Sequence, residues 1–159
     1  VLVSAVAFWQ VVLAIHIAAV VIAFGVVFAY PVFVFVGSRI DRRAIPWFHR
    51  MQQQIGRRII NPGLVVVLVA GIYLASKLHF WHYFFVQWGI AVAIVIGGIE
   101  GGFMIRVEGR LADLAERDLA AGGDEWSDEY QALARRAGAV GLLLYALILV
   151  TIYLMTVQA

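Results

Sequence analysis

Residues 1–36 contain no Asp, Glu, Lys or Arg, and few folds accept such a run. A helix needs about 20 apolar residues to cross a bilayer, and at about 1.5 Å of rise per residue this run would reach about 54 Å, against a hydrocarbon core of about 30 Å. It is expected to span a membrane and to tilt, kink or protrude. Composition extends that expectation to the whole chain. Of 159 residues, 64% are hydrophobic and 14% charged, where soluble domains carry about 25% charged residues; the mean hydropathy is +0.92. There is no cysteine, which excludes disulfide and thiolate chemistry. The run is far longer than the roughly 7–15-residue apolar core of a signal peptide, and no basic segment precedes it, so no cleaved leader is expected.

Four spans are expected, at approximately 8–36, 59–78, 81–105 and 137–157, within one integral membrane domain covering 1–159. The fold class is all-α, a polytopic four-transmembrane-helix bundle. Pro31 cannot donate to the Val27 carbonyl and should kink the first span. Gly25 should let a neighbour pack close, and Gly37 and Ser38 should end the helix. Trp47, Phe48, Met51 and Ile55 share one helical stripe, the pattern of a helix lying in the membrane interface. Asn61-Pro62 suits the start of the second span as N-cap and first-turn proline. The third span carries Gly97, Gly98, Gly101 and Gly102, two overlapping small-xxx-small pairs that permit close helix contact. Helical period then continues through Val107, Leu111, Leu114 and Leu119 until Gly122-Gly123. Ser127, followed by Asp128 and Glu129, reads as the N-cap of the last helix. Helices 3 and 4 should therefore extend beyond the membrane as a cytoplasmic hairpin.

Charge sets the expected orientation. Arg39, Arg42, Arg43, Arg50, Arg57 and Arg58 lie between the first and second spans; Arg106, Arg110, Arg117, Arg135 and Arg136 lie between the third and fourth. Lys77 alone lies at the other end. Loops rich in Lys and Arg face the cytoplasm, so both termini are expected outside, in a multi-pass protein of the inner (plasma) membrane. Residues 38–60 carry six arginines and one acid, net +5, and residues 106–136 carry five arginines and eight acids, net −3. The two segments can dock on each other or stay solvated separately, since exposed pairs contribute only about 0–1 kcal/mol each.

Four positions are candidates for chemistry. His16 lies about 10 Å below Trp9 at about 1.5 Å per residue, and an ionisable group at that depth marks a functional site by default. Its imidazole is a ligand for heme iron, copper or zinc, or a hydrogen-bonding group between helices. His79 and His82 stand three apart where the third helix begins, a spacing that puts two metal ligands on one face within an aromatic belt of Phe80, Trp81, Tyr83, Phe84 and Phe85. His82 would be about 9 Å shallower than His16 on the same rise, which argues against a bis-histidine heme. Glu100 is the one carboxylate inside an apolar span. It must be protonated, paired or hydrated, either as a proton or ion relay or as a structural ion pair with Arg39, Arg57 or Arg106. His49, beside Trp47 in the basic segment, suits the surface or lipid headgroups. Nothing resembles a phosphate loop, a Ser/His/Asp triad or a nucleic-acid motif.

The first helix reads LAIHIAAVVIAFGVVFAYPVFV, the second RRIINPGLVVVLVAGIYLA, and the chain closes on LLLYALILVTIYLMTVQA. These segments resemble the small four-helix bacterial membrane proteins of the DUF2269 group, which look related to HemJ-type protoporphyrinogen oxidases and to the CopD-type copper-resistance membrane domain. The resemblance covers most of the chain. It rests on a first-helix histidine, a following Gly…Pro, and a Pro…Gly second helix. The HemJ resemblance implies a heme role for His16. The matching start of the third helix, FWHYFFVQWG, lacks the lysine of that group's Trp-His-Lys cluster, which bears against porphyrinogen oxidation.

The leading expectation is a heme-binding or redox-associated membrane protein, with heme b as cofactor, His16 as a ligand and His82 as a second candidate. The alternative is a non-catalytic scaffold or complex subunit, or a small oligomeric channel or transporter. The expected partners are the lipid bilayer and a further copy of the chain or a larger membrane complex, with no nucleic acid.

Overall fold

The computed structural model describes residues 6–122 and 125–157, apart from the side chain of Ser38. Among these residues there are seven α-helices and no strand. Four continuous helical stretches are long and apolar enough to cross a membrane: Phe8–Gly37, Arg42–Lys77, Phe84–Ala120 and Asp128–Val157.

The first stretch is broken. α1 (Phe8–Gly25) gives way to a 3-10 turn at Val27–Ala29, and α2 (Tyr30–Ile40) follows with Pro31 in its first turn. The disruption therefore sits just before Pro31, and the helix runs past Gly37 to Ile40. The Val27 carbonyl, which Pro31 cannot serve, accepts the Tyr30 N–H and, from the fourth span, the Tyr145 hydroxyl at 3.1 Å. Freed carbonyls in a bilayer must find such partners, because no water is at hand.

The amphipathic helix α3 (Ile45–Ile55) runs into α4 (Asn61–Lys77) through a π turn at Gly56–Ile60. Asn61 thus does not cap a new helix. Pro62 has no N–H for the preceding turn, and the wider π turn absorbs that defect without ending the helix. α5 (Phe84–Ile99) continues through a second π turn, Glu100–Met104, into α6 (Ile105–Ala120). Gly122 adopts φ +73 beyond it; Gly123, the other half of the expected break, lies outside the described residues. α7 (Asp128–Val157) begins where expected, with the Ser127 Oγ accepting the Tyr130 N–H.

Val27, Ile60, Leu64, Val92, Ile96, Leu144 and Ile148 form a core to which all four spans contribute. Much of the remaining apolar surface faces outward, as with Val65, Val69, Ile94 and Leu142, which suits contact with lipid. The close approach of α1 and α4 is made at Gly63 and Gly71, not at Gly25. A Cβ on Gly63 would meet the Ala23 Cβ at 2.8 Å, whereas one on Gly25 would meet nothing within 4 Å. Of the four glycines around Glu100, Gly101 lies against Asn61 and Gly97 against Leu64, while Gly98 and Gly102 face open space.

The two charged segments are docked. Arg50 reaches Asp113 at 2.6 Å and Glu116 at 3.4 Å. Beneath them Ile45 packs with Val107, Leu111, Leu114 and Tyr130 in a second core. The buried face of α3 is Ile45, Pro46, His49 and Gln52, and Trp47 is 61% exposed. The helix therefore turns its polar residues His49 and Gln52 inward onto α6. Docking wins over separate solvation because it buries this apolar core, which dominates the weak exposed ion pairs.

Candidate functional site

Two polar centres lie inside the molecule. The first surrounds His16. Its Nδ1 lies 3.0 Å from the Val67 carbonyl on α4, and a carbonyl only accepts, so Nδ1 carries the proton. The other nitrogen, Nε2, makes no hydrogen bond among the described residues and keeps its lone pair. Gly71, one turn after Val67, makes the approach sterically open, since a Cβ there would meet His16 Cε1 at 3.3 Å. His16 borders an apolar cavity of about 350 Å³, lined also by Gly71, Leu78, Phe80, Gly89 and Met155. The bond to Val67 is the interhelical tie expected of a membrane histidine. The same bond fixes the tautomer that leaves a ring nitrogen able to bind a ligand.

His79 and His82 do not share a helical face. His79 sits in a left-handed turn (φ 58), Phe80–His82 form a 3-10 turn, Tyr83 is extended, and α5 starts only at Phe84. The third helix begins three residues later than expected because this left-handed turn and extended residue separate it from α4. Both histidines are exposed. The His82 ring packs against Tyr83 with centroids 4.2 Å apart, and His82 does not line the His16 cavity. No cluster of three or more His, Cys, Asp or Glu with metal-binding geometry occurs among the described residues.

The second centre joins the spans to the docked hairpin of α6 and α7. His49 is buried there, not at the surface. Its Nδ1 donates to Glu108 Oε2 at 2.6 Å, and its Nε2 lies 2.9 Å from the Tyr130 hydroxyl. Gln52, with its amide turned to donate, reaches both Glu108 oxygens at 2.9 and 3.1 Å. Glu100 is 8% exposed. None of the ion pairs among the described residues includes it, and Arg106 points to the outside. Glu100 and Glu108 border one small cavity, of about 40 Å³, together with Tyr30, Gln52 and Tyr145.

Val67, Gly71 and Met155 escaped sequence reasoning because only helix pairing brings them to His16. Glu108 had a signal. It stands three residues before Leu111 and seven before Ala115, on the face of α6 that the apolar stripe defines, and a carboxylate on a buried stripe requires a partner.

No curated protein and no solved structure matches the chain. Four helices long and apolar enough to cross a bilayer, in an all-helical fold among the described residues, fit an integral membrane protein. The chain belongs to the DUF2269 family, whose model, described as a predicted integral membrane protein, matches residues 10–159.

Proposed function

We propose that this membrane protein binds heme b within the bilayer, with His16 Nε2 as an axial ligand and its arginine-rich end at the cytoplasmic face of the plasma membrane. One observation carries the reading: the Val67 carbonyl holds the His16 proton on Nδ1, beside an apolar cavity of about 350 Å³. That size lies at the lower end of ligand pockets, about 300–1,000 Å³.

The residues present fit such a group. The cavity lining is almost wholly apolar, as a macrocycle requires. Met155 borders the cavity alongside His16, and Met/His is an established axial pair. Met155 replaces His82 as the second-ligand candidate. Lys77, the one lysine of the chain, follows the lining residues Leu74 and Ala75 on α4 and would be the cation nearest in sequence for a propionate. Bound there, the group would supply one-electron redox chemistry. The chain's part is to present Nε2, exclude water through the apolar wall, and keep the ring fixed through Val67.

The test is the absorption spectrum of protein purified after expression with ample heme. The parent is expected to show a Soret band at about one heme per chain, His16→Ala to lose it, and Met155→Leu to keep a shifted band. A colourless, monodisperse parent, or a His16→Ala protein with an unchanged spectrum, overturns the reading and leaves His16 as an interhelical tie in a non-catalytic membrane protein.

A further inference from the structure

We propose that the cavity between Glu100 and Glu108 is a buried proton site, in which one proton and bridging water are held by the two carboxylates at the junction of the spans and the hairpin. The site is separate from the His16 cavity and shares no lining residue with it.

Helix geometry brings the two carboxylates to one place. Eight residues of ideal α-helix would turn them about 80° apart. The Glu100–Met104 π turn absorbs one extra residue, so the separation acts like seven residues, or two full turns, and both side chains share a face. The Gly56–Ile60 π turn lies opposite. A Cβ on Gly56 would stand 3.8 Å from Glu100 Oε2, so the absence of a side chain there leaves room beside the carboxylate.

The cavity needs an occupant. Its volume of about 40 Å³ exceeds the roughly 10–15 Å³ that one water requires, and its lining is polar enough to hold one. Glu100 is 8% exposed and makes no hydrogen bond or ion pair among the described residues. The Tyr30 hydroxyl, on the same cavity, is buried with no partner among the described residues. A buried hydroxyl and a carboxylate, neither hydrogen-bonded among the described residues, call for ordered water or an ion in the void they share.

Charge then requires a proton. From α2 the cavity is faced by Tyr30, from α3 by Gln52, from α6 by Glu108 and from α7 by Tyr145. None is a cation. His49 faces Glu108 from the far side, backed by Tyr130, so its hydrogen bond serves Glu108 and not Glu100. Arg42 lies over the Trp126 ring at 3.9 Å, and Arg50 is engaged with Asp113 and Glu116. Two carboxylates in one low-dielectric cavity with one partner set do not both ionise. Glu108, with three donated hydrogen bonds, keeps the negative charge. Glu100 takes the proton as a carboxylic acid, whose O–H donates through water toward Glu108 or Tyr30. Proton release from Glu100 leads by way of the water to the Glu108 carboxylate on α6.

Infrared difference spectra of the full chain in lipid vesicles, recorded from about pH 5 to 9, where buried carboxyls titrate, test this. A carbonyl band of a protonated carboxyl, sensitive to exchange into D2O and disappearing as pH rises, is expected in the parent. Glu100→Gln should abolish it, and Glu108→Gln should move its midpoint. Tyr30→Phe, the mildest change, should shift the band frequency and so keeps the test alive if a glutamate variant does not fold. Absence of any such band in the parent, or the same band in Glu100→Gln, overturns the proposal. So does displacement of the band by sodium or potassium at fixed pH, which would make a metal cation the occupant.

Discussion

The Tyr145 hydroxyl donates to the Val27 carbonyl at 3.1 Å, joining from the fourth span the Tyr30 N–H on an acceptor that Pro31 cannot serve. Tyr145→Phe should cost about 0.6 kcal/mol, the average for interhelical hydrogen bonds in membranes, and at most about 1.7 kcal/mol. In a Pro31→Ala background, where residue 31 regains its own N–H, the cost should shrink. A double-mutant cycle on unfolding in detergent reads this directly, and a cost independent of residue 31 would show that the phenol acts only through packing on Phe28.

Glu108 accepts from His49 and Gln52 in a buried site. Glu108→Ala strands both donors and should destabilise the chain by about 1–3 kcal/mol for each buried group left unpaired. Asp113→Ala removes only an exposed partner of Arg50 and should change stability by less than about 1 kcal/mol. Thermal unfolding of the two variants side by side checks the ranking; equal losses would refute a buried anchor.

Gly63 and Gly98 carry opposite expectations. A Cβ at Gly63 meets the Ala23 Cβ at 2.8 Å, and that atom is fixed to the α1 backbone, so α1 must move. Gly63→Ala should cost about 1–3 kcal/mol, as overpacking does. A Cβ at Gly98 would meet nothing within 4 Å among the described residues, so Gly98→Ala should be neutral or slightly stabilising through helix propensity. A neutral Gly63→Ala in the same melting assay would mean the α1–α4 contact yields.

Asp118 lies near the end of α6, in the stretch expected to project beyond the membrane. The Ser127 N–H, donating at 2.9 Å, and Arg117 hold its carboxyl below its ordinary value of 3.8. A depressed carboxyl stabilises the fold above that ordinary value, and the contribution is lost as pH falls through the lowered one. Protease cleavage around residues 119–127 should therefore rise only below about pH 4 in the parent and be high already at neutral pH in Asp118→Ala. Identical cleavage profiles would remove Asp118 from the closure of the hairpin.

With no cysteine in the chain, single cysteines report topology without background. Cysteine at Arg43 or Asp113 should be protected from an impermeant thiol reagent in intact cells, and cysteine at His79 should react. Labelling in the reverse pattern would invert the orientation that the arginine asymmetry predicts.

The four apolar helices, the continuation of the third past residue 105 and the Ser127 cap were legible in the sequence because they depend on local quantities: apolar run length, helical period and capping chemistry. Family membership was legible too, through His16, Pro31 and the Pro62-Gly63 pair. What escaped depends on which helix lies beside which. Small-residue stripes mark possible contacts without choosing among them, so Gly25 and Gly63 look alike until α1 meets α4. The π turns at Gly56–Ile60 and Glu100–Met104 leave no periodic signature, yet the first joins α3 to α4, which seemed separate, and the second rotates Glu100 onto the face of Glu108. His49 looked like a surface residue beside arginines. It is buried because α3 gains more by packing on α6 than by lying alone in the interface. The sequence by itself determined a membrane bundle with polar groups at His16 and Glu100; only the tertiary structure decided that His16 meets Val67 and that His49 meets Glu108, since a hydrogen bond between residues 51 or 59 positions apart is a property of helix packing and not of any local segment.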